Sequence, residues 1–167
     1  MIISLLRPST AKGIVSTGTV ISIHDEGQRG PVSVSRKGAW GFVVRATLGT
    51  AALAGAGSLE AICDALTAEV YACLAALQAA ADQGLQNVIL ETDSQILAKA
   101  LQSDDYDRAR SGMLFREAKY IMAMNFNSVV VVHAPRSCNS VAHELARLGR
   151  DRDRIIQLFG CIPSLIL

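Results

Sequence analysis

The run from Asn87 to Leu101, NVILETDSQILAKAL, constrains the fold more than any other stretch of the chain. An apolar strand core, Val88-Ile89-Leu90, passes into an amphipathic helix across only a few polar residues. A strand that feeds a helix so directly belongs to α/β architecture, in which helices cover the faces of a sheet. An acid at the end of such a strand must cap the next helix, face water or hold a positive charge.

The flanking segments extend this pattern. Leu66 to Ala81 is almost entirely made of helix formers, with Leu66, Val70, Cys73, Leu77 and Ala80 recurring at helical spacing. The spacing predicts the longest helix of the chain, ended by Gly84. Before it, residues 39–47 and 50–59 are rich in β-compatible residues and separated by Leu48-Gly49, which predicts a hairpin. A weaker first strand is predicted over Val20 to His24, followed by a long loop rich in turn formers. After it, the pattern predicts strands at 86–91 and 128–133 and helices at 95–102, 113–124 and 140–149. The order β-β-β-α-β-α-α-β-α implies a mixed sheet with helices on its faces. Residues 1–17 carry little pattern and 151–167 form an apolar tail, which leaves 18–150 as the domain.

Composition narrows the function classes. With 167 residues and 50% hydrophobic content, the chain can bury a core of its own. Lys plus Arg is 16 against 15 for Asp plus Glu, a net charge of +1, so any polyanion has to be held by local charge. Four cysteines without a C-x-x-C pair suit a reducing compartment, and an intracellular place, nucleus or cytoplasm, is expected. The apolar run before Arg7-Pro8 is too short for a secretory leader. The tail IIQLFGCIPSLIL falls short of the ~20 residues a membrane span needs, so no membrane partner is expected.

Three groups of residues could carry chemistry. Glu69 lies three residues after Leu66 and four before Cys73, on the apolar stripe of the long helix and so toward the sheet. A carboxylate there needs a partner or a metal; alternatively it leans to the solvent edge of the first turns, where the helix dipole favours it. Asp93 reads either as a helix N-cap or as a ligand at the carboxyl end of a strand, where sites in α/β sheets gather. Two carboxylates converging there suit Mg²⁺, a hard cation that takes few protein carboxylates. The segment VVVVHAPRSCNSVAHELARLG brings His133, Arg136, Asn139 and His143 toward the same strand ends. Plain alternatives stand beside these: Asn139 as an N-cap, Arg136 as a solvated loop charge and His143 as a surface residue. The acid-rich SDDYDRARS (103–111) reads as a polar loop between helices.

Together, GAWGFVVRA, LTAEVYACLAALQAAADQGLQNVILETDS and HAPRSCNSVAHELARLG resemble the ribonuclease H domain. The likeness is to the form found in plant proteins and plant retroelements and called reverse-transcriptase-like, and it covers about residues 38 to 150. It implies a five-stranded mixed sheet flanked by helices, with an antiparallel three-strand meander first. It implies Glu69 and Asp93 as metal ligands, with Ser94 left to cap the following helix. It implies a metal-dependent endonuclease that cleaves the RNA strand of RNA–DNA hybrids with two Mg²⁺ ions, or Mn²⁺ in their place. A monomer is expected. Arg136, Asn139, Lys99 and Arg116 are the candidates for contacting the nucleic acid.

Two departures qualify the resemblance. The family has a first-strand Asp in a pattern like V-N-V-D-G, whereas VISIHDEGQ offers Asp25 after an intruding His24 and before a long loop. Asp25 is the expected third metal ligand. His143, in AHELA, stands where many relatives have an Asp; imidazole is a poorer Mg²⁺ ligand, and a role in proton transfer or phosphate contact is expected instead. The alternative is a catalytically inactive nucleic-acid-binding module or a decayed retroelement fragment.

Overall fold

The computed structural model describes residues 2–5, 36–45, 51–62, 64–135, 144–147 and 156–159. Along the chain these form β1 (Ile2–Leu5), β2 (Arg36–Arg45), β3 (Ala51–Ile62), α1 (Ala65–Asp82), β4 (Asn87–Thr92), α2 (Gln95–Gln102), α3 (Gly112–Asn125), β5 (Ser128–His133) and β6 (Ile156–Phe159). The strands make one mixed sheet in the order β5-β4-β1-β2-β3-β6. β2 and β3 pair antiparallel, as the hairpin expectation requires, and β4 and β5 pair parallel across the crossover made by α2 and α3.

One face of the sheet packs on the helices. Trp40, Phe42 and Val44 of β2, Leu53 of β3 and Val88 and Leu90 of β4 join Val70, Cys73, Ala76 and Leu77 of α1, Leu97 of α2 and Phe115 of α3 in a single core. The period-2 alternation of strands places Ala39, Val43, Ala54, Ala56 and Ile89 on the other face, where they too are buried. That face is buried over β2, β3 and β4 but open at β5, where Val130 and Val132 are exposed. Leu145 and Ala146, in the helical stretch 144–147, are also buried.

Two glycines explain how the aromatic part of this core fits. Gly57 is the cross-strand partner of Trp40, and Gly55 that of Phe42. A Cβ on Gly55 would lie 2.4 Å from a Phe42 ring carbon, and one on Gly57 would lie 2.6 Å from the Trp40 ring. The rings thus lie across the neighbouring strand in space that any side chain would fill. They are near-parallel, 4° between planes and 6.0 Å between centroids. Above them α1 offers Ala72, Ala76 and Cys73, small enough to let the helix approach. Cys73 is free, and burial pushes its thiol up to about 12.

The structure adds to the sequence expectations at both ends of the chain. Among the described residues the sheet has six strands, because Ile156–Phe159, in the segment set aside as a tail, pairs antiparallel with β3. Ile2–Leu5, in the segment read as unpatterned, fills the central position between β4 and β2. It runs antiparallel to β4 and parallel to β2; of the meander the resemblance implies, β2 and β3 pair antiparallel as required, and the first strand falls outside the described residues. A central slot leaves two rows of backbone donors and acceptors to satisfy, and four β-compatible residues meet both rows there. The expected strand at Val20–His24 and the last helix outside 144–147 lie outside the described residues.

Candidate active site

The site is built at the carboxyl end of β4. Leu90 faces the helices, Glu91 is 8% exposed on the opposite side and level with Val132 of β5, and Thr92 is 3% exposed. The strand then turns on its own side chains. The Thr92 hydroxyl accepts the Ser94 N–H at 3.1 Å, the Thr92 carbonyl accepts the Ala134 N–H at 2.9 Å, and the Ser94 hydroxyl accepts the Leu97 N–H at 3.3 Å. Ser94 is thus the N-cap of α2, which leaves the Asp93 carboxylate without the capping duty that was its plainest explanation.

α1 supplies the second acid. Its N-cap is Asp64, whose carboxylate accepts both the backbone N–H and the hydroxyl of Thr67, each at 2.7 Å. These bonds, the hydroxyl's first, hold the Asp64 carboxyl below the ordinary aspartate range. Glu69 lies one turn further in, half-buried between Ala68 and Val70, where the helical spacing puts it. Burial pushes the Glu69 carboxyl above the ordinary glutamate range. A hydrogen bond from the Ser94 hydroxyl works against that rise, while the charges of Asp93 and Asp64 add to it. Glu69 therefore lies in the field of Asp93 at the end of β4, with the Ser94 hydroxyl beside it.

Such a pair gains from a cation. Its oxygens are hard donors, and a divalent ion offsets both the burial that chiefly raises the Glu69 carboxyl and the repulsion from Asp93 that adds to it. The donor set fits Mg²⁺ or Mn²⁺ as part of a larger ligand shell; among the described residues no group of three or more metal-ligating side chains comes together. Asp25, Arg136, Asn139 and His143 lie outside the described residues. Lys99 and Arg116 are exposed on α2 and α3.

Two contributors escaped the sequence reading. Ser94 was assigned to capping, yet its hydroxyl also serves Glu69; a Ser between a strand and a helix carries no local sign of a long-range partner. Asp64 was passed over although D-A-L-T is the pattern of an N-cap bonded to a residue three positions on. The field of Arg110 also reaches Asp64, and Thr67 and Ser111 approach at 3.4 Å between their hydroxyls, so the 103–111 loop abuts the start of α1. That loop is held by Lys119 of α3, which bonds Asp107 at 2.7 Å, Asp104 at 3.0 Å and the Ser103 carbonyl at 2.5 Å. Two of its three acids are thus engaged by a lysine, the third, Asp105, accepts from the Ser103 hydroxyl at 3.2 Å, and the segment is the polar loop between helices that was expected.

Known proteins place this geometry. A family model described as reverse transcriptase-like matches residues 29–149, most of the chain. The chain belongs to the reverse transcriptase-like family. Its members' fold is ribonuclease H-like, and solved structures agree. The ribonuclease H1 of the halophilic archaeon Halobacterium salinarum is 28% identical with a TM-score of 0.59, over 73% of this chain and 92% of that one. The N-terminal ribonuclease H domain of a Mycobacterium tuberculosis protein aligns with a TM-score of 0.64 at 19% identity, over 73% of this chain and 88% of that one. A compost-derived ribonuclease H1, solved in complex with an RNA/DNA hybrid, aligns with a TM-score of 0.65 at 20% identity, over 73% and 91%. No curated protein matches closely enough to count as a relative. Among the described residues of this reverse transcriptase-like chain, no helix is long and apolar enough to cross a membrane.

Proposed function

We propose that this ribonuclease H-like chain is a metal-dependent endonuclease that hydrolyses the RNA strand of RNA–DNA hybrids. The observation that carries the reading is the convergence of Glu69 and Asp93 at the carboxyl end of β4, with Ser94 bonded to the acid that burial disfavours. Glu69, Asp93 and Asp25 are the carboxylates that hold two Mg²⁺ ions, or Mn²⁺. When bound, such ions activate water and stabilise the leaving oxygen of an in-line phosphodiester displacement. The chain's own part is positional. Ser94 keeps the Glu69 carboxylate turned toward Asp93, and the Thr92–Ser94 turn fixes the backbone from which Asp93 projects. His143 stands as the group that moves a proton or meets a phosphate. Lys99, Arg116, Arg136 and Asn139 contact the backbone of the hybrid, where binding reads shape and charge in preference to sequence. The plant retroelement lineage belongs to the same reading.

A second reading, a nucleic-acid-binding module without catalysis, is favoured by one observation. The central strand beside β4 is Ile2–Leu5, and it carries no acid. Incubating a labelled RNA–DNA hybrid with the protein and Mg²⁺, Mn²⁺ or neither, beside Asp93→Asn, separates the two. The hydrolase reading expects RNA-strand cleavage that needs metal and is lost in the variant. A folded protein that binds hybrid and leaves it intact under all conditions refutes it.

A further inference from the structure

We propose that the outer face of α3 is a self-docking surface, on which a second copy of this chain pairs helix to helix about a two-fold axis midway between Arg116 and Glu117. The inference goes beyond the hydrolase reading and does not rest on it. α3 has two apolar faces. Phe115 and Ala118 are buried in the core, and Leu114, Ile121 and Met122 pack against it. On the opposite side Met113 is 71% exposed, Tyr120 66% and Met124 62%. These three recur at i, i+7 and i+11, a spacing that lines one face of a helix. A single exposed apolar side chain needs no explanation, whereas three along one stripe mark an interaction surface.

The charges on the stripe indicate what covers it. Arg116 and Glu117 are both exposed, and neither takes part in an ion pair among the described residues. Successive residues lie about 100° apart around a helix, so these two flank the line from Met113 to Tyr120, one on each side. An antiparallel copy related by the two-fold axis then sets Met113 opposite Tyr120 of the second copy and Arg116 opposite its Glu117. The symmetry repeats both contacts with the copies exchanged. Each charge thereby meets its opposite, and each thioether meets an aromatic ring. Met124 reaches past the first turn of the opposite helix, which begins at Gly112, toward the 103–111 loop of the second copy. A polyanion suits the stripe less well. Arg116, also assigned above to the hybrid, is the one cation among the exposed residues of α3, and Glu117 beside it repels phosphate.

The contact is small. Roughly ten residues of each helix overlap, about 15 Å at the helical rise. Such an interface falls below the ~1,200 Å² of standard complexes, so a transient dimer with a Kd in the micromolar range is expected. The monomer expected from the sequence is then the species at low concentration.

Sedimentation velocity of the full chain, from the low micromolar to the submillimolar range, tests the surface. The wild type is expected to pass from monomer to dimer. Arg116→Glu and Glu117→Arg each set like charges against one another twice, and each is expected to raise the dimer Kd roughly ten-fold or more. The two together restore both pairs and are expected to return the Kd to within about three-fold of wild type. Tyr120→Gln removes the ring from an exposed position and is expected to weaken the dimer roughly ten-fold. The proposal is overturned if the wild type stays monomeric throughout, if the charge reversals leave the dimer unchanged, or if the double reversal does not recover it. A variant that loses its cooperative melt at monomeric concentrations contradicts the exposed placement of its side chain and overturns the proposal as well. If the chain stays monomeric while Glu117→Arg tightens binding of an RNA–DNA hybrid, the stripe is a nucleic-acid contact instead. No outcome depends on cleavage, so the hydrolase reading stands or falls separately.

Discussion

Ser94→Ala removes the cap of α2 and the hydroxyl that draws the Glu69 carboxyl downward, and the two contributions can be summed. The hydroxyl accepts the Leu97 N–H at 3.3 Å as the N-cap of α2, an interaction whose loss costs about 1 kcal/mol. It also donates to the Glu69 carboxylate, and a bond to a charged group contributes about 1.5 kcal/mol where the acid is only half-buried. The expected loss is about 2–3 kcal/mol, which in a chain of this size lowers Tm by roughly 5–10 °C. The two parts separate in a double-mutant cycle with Glu69→Met, which has no acceptor for the hydroxyl: Ser94→Ala in that background is expected to cost only the cap. The Glu69 part also depends on pH. The bond favours the charged carboxyl, so its contribution is present when Glu69 is ionised and is lost as pH falls through the Glu69 pKa, which burial sets above the ordinary range. The gap between Ser94→Ala and wild type is therefore expected to narrow on acidification. Urea melts of the four proteins at neutral and acid pH measure it. A coupling energy near zero, or a gap that does not change with pH, refutes the shared role of Ser94.

Three further perturbations follow from the same structure. Asp64→Ala is expected to cost about 1 kcal/mol as a lost N-cap. Because the Asp64 pKa is depressed, that difference is present above the unfolded aspartate value and disappears as pH falls through the folded one, which melts across acid pH would show. Gly55→Ala places a methyl 2.4 Å from a ring carbon of the fully buried Phe42 and is expected to destabilise by about 1–3 kcal/mol as overpacking; a thermal melt that is unchanged or higher counts against the packing described. For Lys119, burial pulls the ammonium pKa down, but hydrogen bonds to Asp107 and Asp104 outweigh this and leave it raised. Its contribution is therefore whole below the ordinary lysine value and fades as pH climbs through the raised one, so Lys119→Met is expected to lose about 1 kcal/mol at neutral pH and to converge with wild type in strongly alkaline melts.

The legible parts of the fold were those written locally. The bounds of α1, β4, α2, α3 and β5 agree with the sequence pattern to within one or two residues, because period, caps and glycine stops lie inside each segment. Ser94 as the α2 cap was readable for the same reason. β1 and β6 were not, since four-residue strands owe their existence to an open ladder elsewhere in the sheet and carry no period of their own. Within the site, Glu69 was placed by helical spacing and Asp93 by its strand end. The interaction of Glu69 with Ser94 crosses from α1 to the start of α2, and no short window of sequence contains both partners.

The paired rings of Trp40 and Phe42 act as a spacer under the helix that carries Glu69. Because Gly55 and Gly57 let the rings lie against the sheet, the thickness of that aromatic layer sets how high α1 rides over β2, while Asp93 is fixed separately by the turn after β4. The distance between the two acids is therefore governed by side chains that never meet either of them. A leucine in place of Trp40 would let the helix settle and carry Glu69 with it, changing the spacing of the two carboxylates without altering either of them.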